Sequence, residues 1–223
     1  MNDLEKRTML IQRRILGSLC IALVPAVLLF GLFGSSTNPS DWYFSVSATF
    51  YANSNIFMIG LIFSTSVFFF SYKGYDWKDR LCSIIQAISL LGIILFPVYN
   101  YTQPEVCGIF NLPSNVSHIL HCVTSGIFFA AIGFNLIFLF TITGNEITEK
   151  KKLRNNIYRI CGILIVISAI IIPINSTPIF GFVPDWFPTT MICEFIMFTS
   201  FGFSYIVKSE AISKFNDRTF KEL

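Results

Sequence analysis

The fold is decided by the stretch RRILGSLCIALVPAVLLFGLF, residues 13–33. Its two arginines precede an apolar run, Ile15–Phe33, that carries no charged residue. A helix needs about 20 apolar residues to cross a bilayer. The run is longer than the apolar core of a secretory signal peptide, about 7–15 residues. We therefore expect a membrane helix that is retained in the mature chain.

Five further apolar stretches follow, and only 13% of the 223 residues are charged, against about 25% in soluble domains. We therefore expect an all-α polytopic membrane protein: a six-transmembrane-helix bundle over residues 15–207, with cytoplasmic tails at 1–14 and 208–223. The predicted helices lie at about 15–33, 50–71, 81–99, 118–143, 157–174 and 187–207.

All 16 Lys and Arg residues fall in the two tails or around the second and fourth connections between predicted helices, and the other three connections contain none. Cationic loops stay on the cytoplasmic side, so both termini are predicted to be cytoplasmic. The cations flank apolar segments instead of forming one patch, so we expect no nucleic-acid partner. On this side, Asp76, Asp79 and the run Lys150–Lys152 are interpreted as solvated surface charges.

The two histidines of the chain lie on one face of the predicted fourth helix. His118, His121, Cys122 and Ser125 recur at positions that share a helical face. A His-x-x-His pair can supply two nitrogen ligands to Zn²⁺, although a full site needs a third ligand from elsewhere. The alternative is a pair of histidines that form hydrogen bonds near the membrane surface.

Glu194 is the most informative single residue. It lies seven residues past Phe187, roughly 10 Å below the outer boundary at 1.5 Å per residue. An unpaired carboxylate at that depth is costly, so we expect it to be protonated or paired. The outer half offers no Lys or Arg, which leaves His118, His121, a bound cation or hydroxyl groups.

A polar segment before the predicted second helix is the third candidate feature. Polar residues recur at every second position from Ser45 to Asn55, which suits a short extended or re-entrant segment. As a helix, the same segment aligns Ser47, Tyr51 and Asn55 on one face. Both conformations bring hydroxyls and amides to the outer half, and an ordinary polar loop is the third interpretation.

Small residues mark a packing surface on the fourth helix. Gly126, Ala130 and Gly133 form a face about 100° from the histidine face. Such faces allow two membrane helices to approach closely. We therefore expect a neighbouring helix against this face.

The chain resembles a group of uncharacterised bacterial six-helix integral membrane proteins, classed as a domain of unknown function. The resemblance rests on Ser45-Val-Ser-Ala-Thr-Phe-Tyr51, Asn55-Ile-Phe-Met-Ile-Gly60, Tyr72-Lys-Gly-Tyr-Asp76, His121 before Ser125-Gly-Ile-Phe-Phe129, and Glu194 before Phe201-Gly-Phe-Ser-Tyr205 and Lys208. It implies a six-helix fold in a bacterial inner membrane and carries no activity. The chain departs from the group at Tyr51, where a histidine is common, and at Asn55, where a basic residue is common.

A more distant similarity is to intramembrane metal hydrolases of the alkaline ceramidase and progestin-receptor type. Those proteins place Ser, Asp and three His around zinc. This chain has two His and lacks a His-x-x-x-His helix. The similarity implies zinc as a candidate cofactor.

Three functions remain open from the sequence. The leading hypothesis is an outward-facing polar pocket that binds a lipid head group or small polar ligand, so membrane lipids are the expected partners. Its candidate ligand-binding residues are Tyr51, Asn55, His118, His121, Ser125 and Glu194. The alternative is a hydrolase of a lipid ester or amide, with His118, His121 and Glu194 as metal ligands and with Glu194, His121 and Ser47 as catalytic candidates. The third is a proton-coupled transporter that uses Glu194.

Overall fold

A computed structural model describes residues 3–33, 43–74, 76–99, 105–142, 147–175 and 187–216. Six α-helices run through them: α1 Asp3–Phe33, α2 Asn55–Ser71, α3 Trp77–Leu95, α4 Ser114–Phe134, α5 Glu149–Asn175 and α6 Thr189–Lys208. Shorter elements are two 3-10 turns, Ser47–Tyr51 and Ser213–Phe215, a π-helical turn, Asn135–Leu139, and a hairpin of β1 Val106–Cys107 and β2 Leu112–Pro113. The predicted all-α class is confirmed.

Four of the helical stretches are long and apolar enough to cross a membrane: Leu4–Phe33, Ser114–Leu139, Glu149–Asn175 and Thr189–Lys208. The α2 helix is apolar but shorter, at 17 residues. The α3 helix begins with charged residues, at Lys78, Asp79 and Arg80. The four long apolar helices make this chain a membrane protein.

The charged ends of α1 and α5 are helical, which the hydropathy pattern did not predict. The α1 helix begins at Asp3, within the expected tail, and α5 begins at Glu149, about eight residues before the expected start. Lys, Arg and Glu are good helix formers, so a helix can continue into water beyond the apolar run. The predicted end of the fourth helix at residue 143 lies outside the described residues.

Local sequence fixes the bounds of α3. The Asp76 side chain accepts a hydrogen bond from the Asp79 N–H at 2.8 Å, and this N-cap starts the helix at Trp77. The helix ends at Leu95, two residues before Pro97. Proline disfavours helical geometry in the residue before it, so the chain leaves the helix here.

The six helices form a closed ring in which each packs against its neighbours in sequence and α6 returns to α1. The ring has two ends. The basic end holds the start of α1 and the end of α6, and the described Lys and Arg residues lie towards it. We name the opposite end, which contains Glu194, the N-terminus of α4 and the 3-10 turn Ser47–Tyr51, the cation-free end, since no Lys or Arg lies in its connections.

An aromatic cluster fills the centre of the ring. Phe201 of α6 stacks on Phe69 of α2 with 5.8 Å between ring centroids, and it meets Phe128 of α4 edge-on at 6.0 Å. All three rings are buried. This cluster joins α6 to helices across the ring, so α6 is fixed both around the ring and through its centre.

Glycines allow the closest helix contacts. A Cβ atom at Gly17 of α1 would lie 2.6 Å from the carbonyl oxygen of Gly202 in α6. At Gly133 of α4, an added Cβ would lie 2.8 Å from a Val166 methyl group of α5. The expected small-residue face on the fourth helix is therefore used only in part, because a Cβ at Gly126 would meet no atom within 4 Å.

The basic end contains a buried polar network that corrects one interpretation of the sequence. Asp79 is only 5% exposed and Arg13 only 1%, so neither is a solvated surface charge. Arg13 Nη2 donates to the Tyr72 hydroxyl, which donates to Asp79 Oδ2 at 3.3 Å. Asp76 and Lys152 are exposed as expected. The hydropathy of a segment does not reveal which of its few charged residues turn inward.

Candidate functional site

Glu194 lies in the second turn of α6, only 7% exposed. Its carboxylate accepts hydrogen bonds from three groups that precede α2. Oε2 accepts from the Val46 N–H at 2.6 Å and from Ser45 Oγ at 2.9 Å, and Oε1 accepts from Ser47 Oγ at 3.3 Å. The carboxylate is therefore stabilised by neutral donors and not by a cation.

A short turn of backbone brings these donors to Glu194. The Met191 N–H of α6 donates to the Phe44 carbonyl at 2.8 Å, which ties the start of the segment to α6. The Thr49 N–H donates to the Val46 carbonyl at 3.1 Å and closes the 3-10 turn. The polar segment from Ser45 to Tyr51 therefore forms a turn and not an extended strand. It is also separate from α2, which begins only at Asn55.

His121 of α4 connects the same turn to α3. Its Nδ1 lies 2.8 Å from the carbonyl oxygen of Phe96, the residue that follows α3. Its Nε2 lies 3.0 Å from Ser47 Oγ. The ring is 6% exposed. Four separate parts of the chain, α6, the 3-10 turn, α4 and the end of α3, are thus joined through Ser47 and His121.

The three side chains can share one proton. A carbonyl oxygen only accepts, so Nδ1 of His121 must carry a hydrogen, and Nε2 of the neutral ring is an acceptor. Ser47 has one hydrogen and two acceptors beside it, Nε2 and Oε1 of Glu194. An added proton on Glu194 lets the carboxyl donate to Ser47 and Ser47 donate to His121. The same proton on His121 instead lets Nε2 donate to Ser47 and Ser47 donate to Glu194. In both arrangements each contact has one hydrogen, and the added proton neutralises the charge of the buried carboxylate.

The expected metal set is not assembled in the structure. His118 Nδ1 accepts a hydrogen bond from the Tyr99 N–H at 3.3 Å, and its Nε2 lies 3.6 Å from Cys122 Sγ. Ser47 stands between His121 and Glu194. Within the described ranges, no group of three His, Cys, Asp or Glu side chains lies close enough to hold a metal ion.

The other candidate ligand-binding residues lie at the same end without joining the network. The Tyr51 hydroxyl donates to the Val98 carbonyl at 2.9 Å, which ties the 3-10 turn to the segment after α3. Asn55 is exposed at the start of α2. Ser125 is half-buried one turn deeper than His121. Tyr51 therefore has a structural contact, and Ser125 lies below the site.

Sequence reasoning missed three groups of the site: Ser45, the Val46 N–H and the Phe96 carbonyl. Ser45 stands in the polar segment that drew attention to Ser47, so the signal was present but did not distinguish the two serines. The two backbone groups leave no trace in the sequence, because every residue other than proline carries them.

Comparison of the chain with family models, with curated proteins and with solved structures gives no match. The chemistry of the site must therefore be argued from its own geometry. A buried carboxylate, a serine hydroxyl and an imidazole in one hydrogen-bonded chain can bind donors, hold a proton or activate the hydroxyl.

Proposed function

We propose that the chain crosses the membrane six times, with both termini in the cytoplasm, and that its outer site binds an ammonium-bearing ligand such as the head group of phosphatidylethanolamine. The six α-helices and the position of the cations at one end support this topology. The 17 residues of α2 reach about 26 Å, against about 30 Å of hydrocarbon. A modest local thinning of the bilayer accommodates that difference.

The observation that carries the proposal is a buried carboxylate beside an imidazole acceptor at an end without Lys or Arg. Oε1 of Glu194 and Nε2 of His121 both present acceptor atoms to Ser47. An ammonium group has three donors and a positive charge, so it complements such a surface. A phosphate or carboxylate ligand would instead meet Glu194 with no cation beside it.

One oxygen of Glu194 is more weakly held than the other. The bond from Ser47 to Oε1 measures 3.3 Å, whereas the two bonds to Oε2 measure 2.6 and 2.9 Å. Ser47 is also the least buried of the three donors, because Ser45 and Val46 lie inside the protein. An ammonium group would therefore approach along Ser47 and bind Oε1.

The depth of the site suits a lipid head group. Glu194 lies five residues into α6, about 7.5 Å from the start of the helix. The polar region of a bilayer adds roughly 5–7 Å on each side of the hydrocarbon. The amine of a phospholipid and its glycerol esters lie in this range.

Native mass spectrometry tests the proposal. The purified protein is exchanged from detergent into micelles that contain equal amounts of phosphatidylethanolamine and phosphatidylglycerol. Wild type is expected to retain the ethanolamine lipid preferentially, and Glu194→Gln to lose about tenfold in that preference, which corresponds to about 1.4 kcal/mol. The matched control is Glu105→Gln, an exposed carboxyl at the same end outside the network. Equal retention of both lipids by wild type would contradict the proposal.

A further inference from the structure

Ser47 and His121 have the geometry of a nucleophile and its base. Ser47 Oγ lies 3.0 Å from Nε2 of His121, although the two residues are 74 positions apart. A serine is a weak nucleophile until a neighbouring base removes its hydrogen, and a distance of about 2.6–3.2 Å allows that transfer. Among the described residues, this is the serine hydroxyl that contacts a histidine ring nitrogen.

The tautomer needed for a base is fixed by a third group. The Phe96 carbonyl lies 2.8 Å from Nδ1 and only accepts, so the hydrogen of the neutral ring lies on Nδ1. Nε2 therefore presents its lone pair to Ser47. A carbonyl here has the orienting role that a carboxylate has in a Ser-His-Asp triad.

The glutamate competes for the serine hydrogen without displacing the histidine. Ser47 Oγ is 3.0 Å from Nε2 and 3.3 Å from Oε1 of Glu194, so the shorter contact is to the base. When the ring takes the proton, the nearby carboxylate stabilises the imidazolium. Ser45 also contacts Glu194 and accepts from the Ser47 N–H at 3.1 Å, so it belongs to the site. Ser64 of α2 donates to the Gly60 carbonyl of its own helix at 2.7 Å and provides a control outside the site.

We propose that Ser47 is an acyl-accepting nucleophile and His121 its general base, acting on a carboxylic ester of a membrane lipid. The proposed six-span topology places a site five residues into α6 at the depth of glycerol esters, and Ser47 is its half-buried serine. The proposal shares the location of the ammonium site and goes beyond it to an activity. It does not require that an ethanolamine head group be recognised.

The reaction balances with water as the second reactant. Ser47 Oγ forms a bond to the ester carbonyl carbon while its hydrogen moves to Nε2 of His121. The ester C–O bond breaks, and the leaving alcohol takes the proton from Nε2. Water then attacks the acyl-serine, its proton passing through Nε2 to Ser47, and the free fatty acid leaves.

A fluorophosphonate probe tests the nucleophile directly, because it forms a covalent phosphonyl bond with activated serines and releases fluoride. Intact-protein mass spectrometry of the detergent-purified full chain is expected to show one adduct, and peptide mapping to place it on Ser47. Ser47→Ala should abolish the adduct, and Ser64→Ala, at a serine of α2 outside the site, should retain it. His121→Gln should slow the labelling at least about a hundredfold, the usual contribution of a general base.

Two outcomes would overturn the proposal. One is folded wild-type protein, judged by a single symmetric peak in size-exclusion chromatography, that acquires no adduct on Ser47. The other is His121→Gln that labels as fast as wild type. Both rest on proteins whose folding is checked, so a misfolded Ser47→Ala cannot decide the result. If wild type shows no preference for the ethanolamine lipid while the probe still labels Ser47, the ammonium site is rejected and the nucleophile is retained.

Discussion

The backbone N–H of Val46 lies 2.6 Å from Oε2 of Glu194, although 148 positions separate the two residues. This contact fastens the segment before α2 to the second turn of α6. A carboxylate buried away from cations needs such donors, because burying it without them is costly. Glu194 therefore has a structural role at the cation-free end besides any role towards a ligand.

Glu194→Ala should lower the free energy of unfolding by about 2 kcal/mol. The substitution removes the acceptor of the Val46 N–H and of Ser45 Oγ, and a buried donor left unsatisfied costs about 1–3 kcal/mol. The measurement is unfolding by sodium dodecyl sulfate in mixed micelles. Glu105→Ala, at an exposed position of the same end, should change it by less than about 0.5 kcal/mol. If the two substitutions lower the free energy of unfolding equally, the hydrogen bonds to Glu194 contribute nothing to stability.

Gly17→Ala and Gly202→Ala should each destabilise the packing of α1 against α6. A Cβ at Gly202 would lie 2.5 Å from the Gly17 carbonyl oxygen, so the two backbones must separate. Overpacking of this kind costs about 1–3 kcal/mol. Gly126→Ala is the matched control, because an added Cβ there meets nothing within 4 Å. The same unfolding measurement should give the control a free energy of unfolding close to that of wild type. An equally large loss of stability in the control would show that the close contact between Gly17 and Gly202 is not the cause.

Arg13→Met should destabilise the basic end by about 2 kcal/mol. Methionine keeps an unbranched apolar stem but leaves the buried Tyr72 hydroxyl without the Arg13 donor, and hydrogen bonds to charged groups contribute about 1.5–3 kcal/mol. Arg159→Met removes an exposed cation of α5 and should have little effect. Arg13 also sits over the Tyr72 ring at 5.4 Å, so Arg13→Lys should restore only part of the loss.

The orientation in the membrane can be tested with cysteines at the two ends. In a Cys122→Ser background, which removes the exposed native thiol, Ile109→Cys should react with a membrane-impermeant maleimide in intact cells. Ile109 lies in the turn of the hairpin and is 72% exposed. Lys152→Cys should react only after the membrane is permeabilised, because the proposed orientation places the basic end in the cytoplasm. The reverse pattern would overturn the proposed orientation.

The sequence predicted the class of the fold, and it identified Glu194 and His121 as candidate site residues, for a clear reason. Hydropathy and charge follow directly from residue type, so apolar runs and basic flanks could be read without a structure. Glu194 stood out because a carboxylate in an apolar segment without nearby cations must find another partner. His121 was one of the few partners that remained. The α1 and α5 helices nevertheless begin in charged sequence, where hydropathy carries no helix signal.

Hydropathy and charge therefore indicated a helical membrane protein and showed that Glu194 requires a proton, a histidine, a bound cation or hydroxyl groups. The packing of the helices determined which protein groups contact it. It set Ser47 between Glu194 and His121, placed His118 against the Tyr99 N–H, and turned Arg13 and Asp79 inward. The physical reason is that these contacts join residues far apart in the chain, and some of their partners are backbone groups common to all residues. Such pairings depend on how the helices pack and not on local composition.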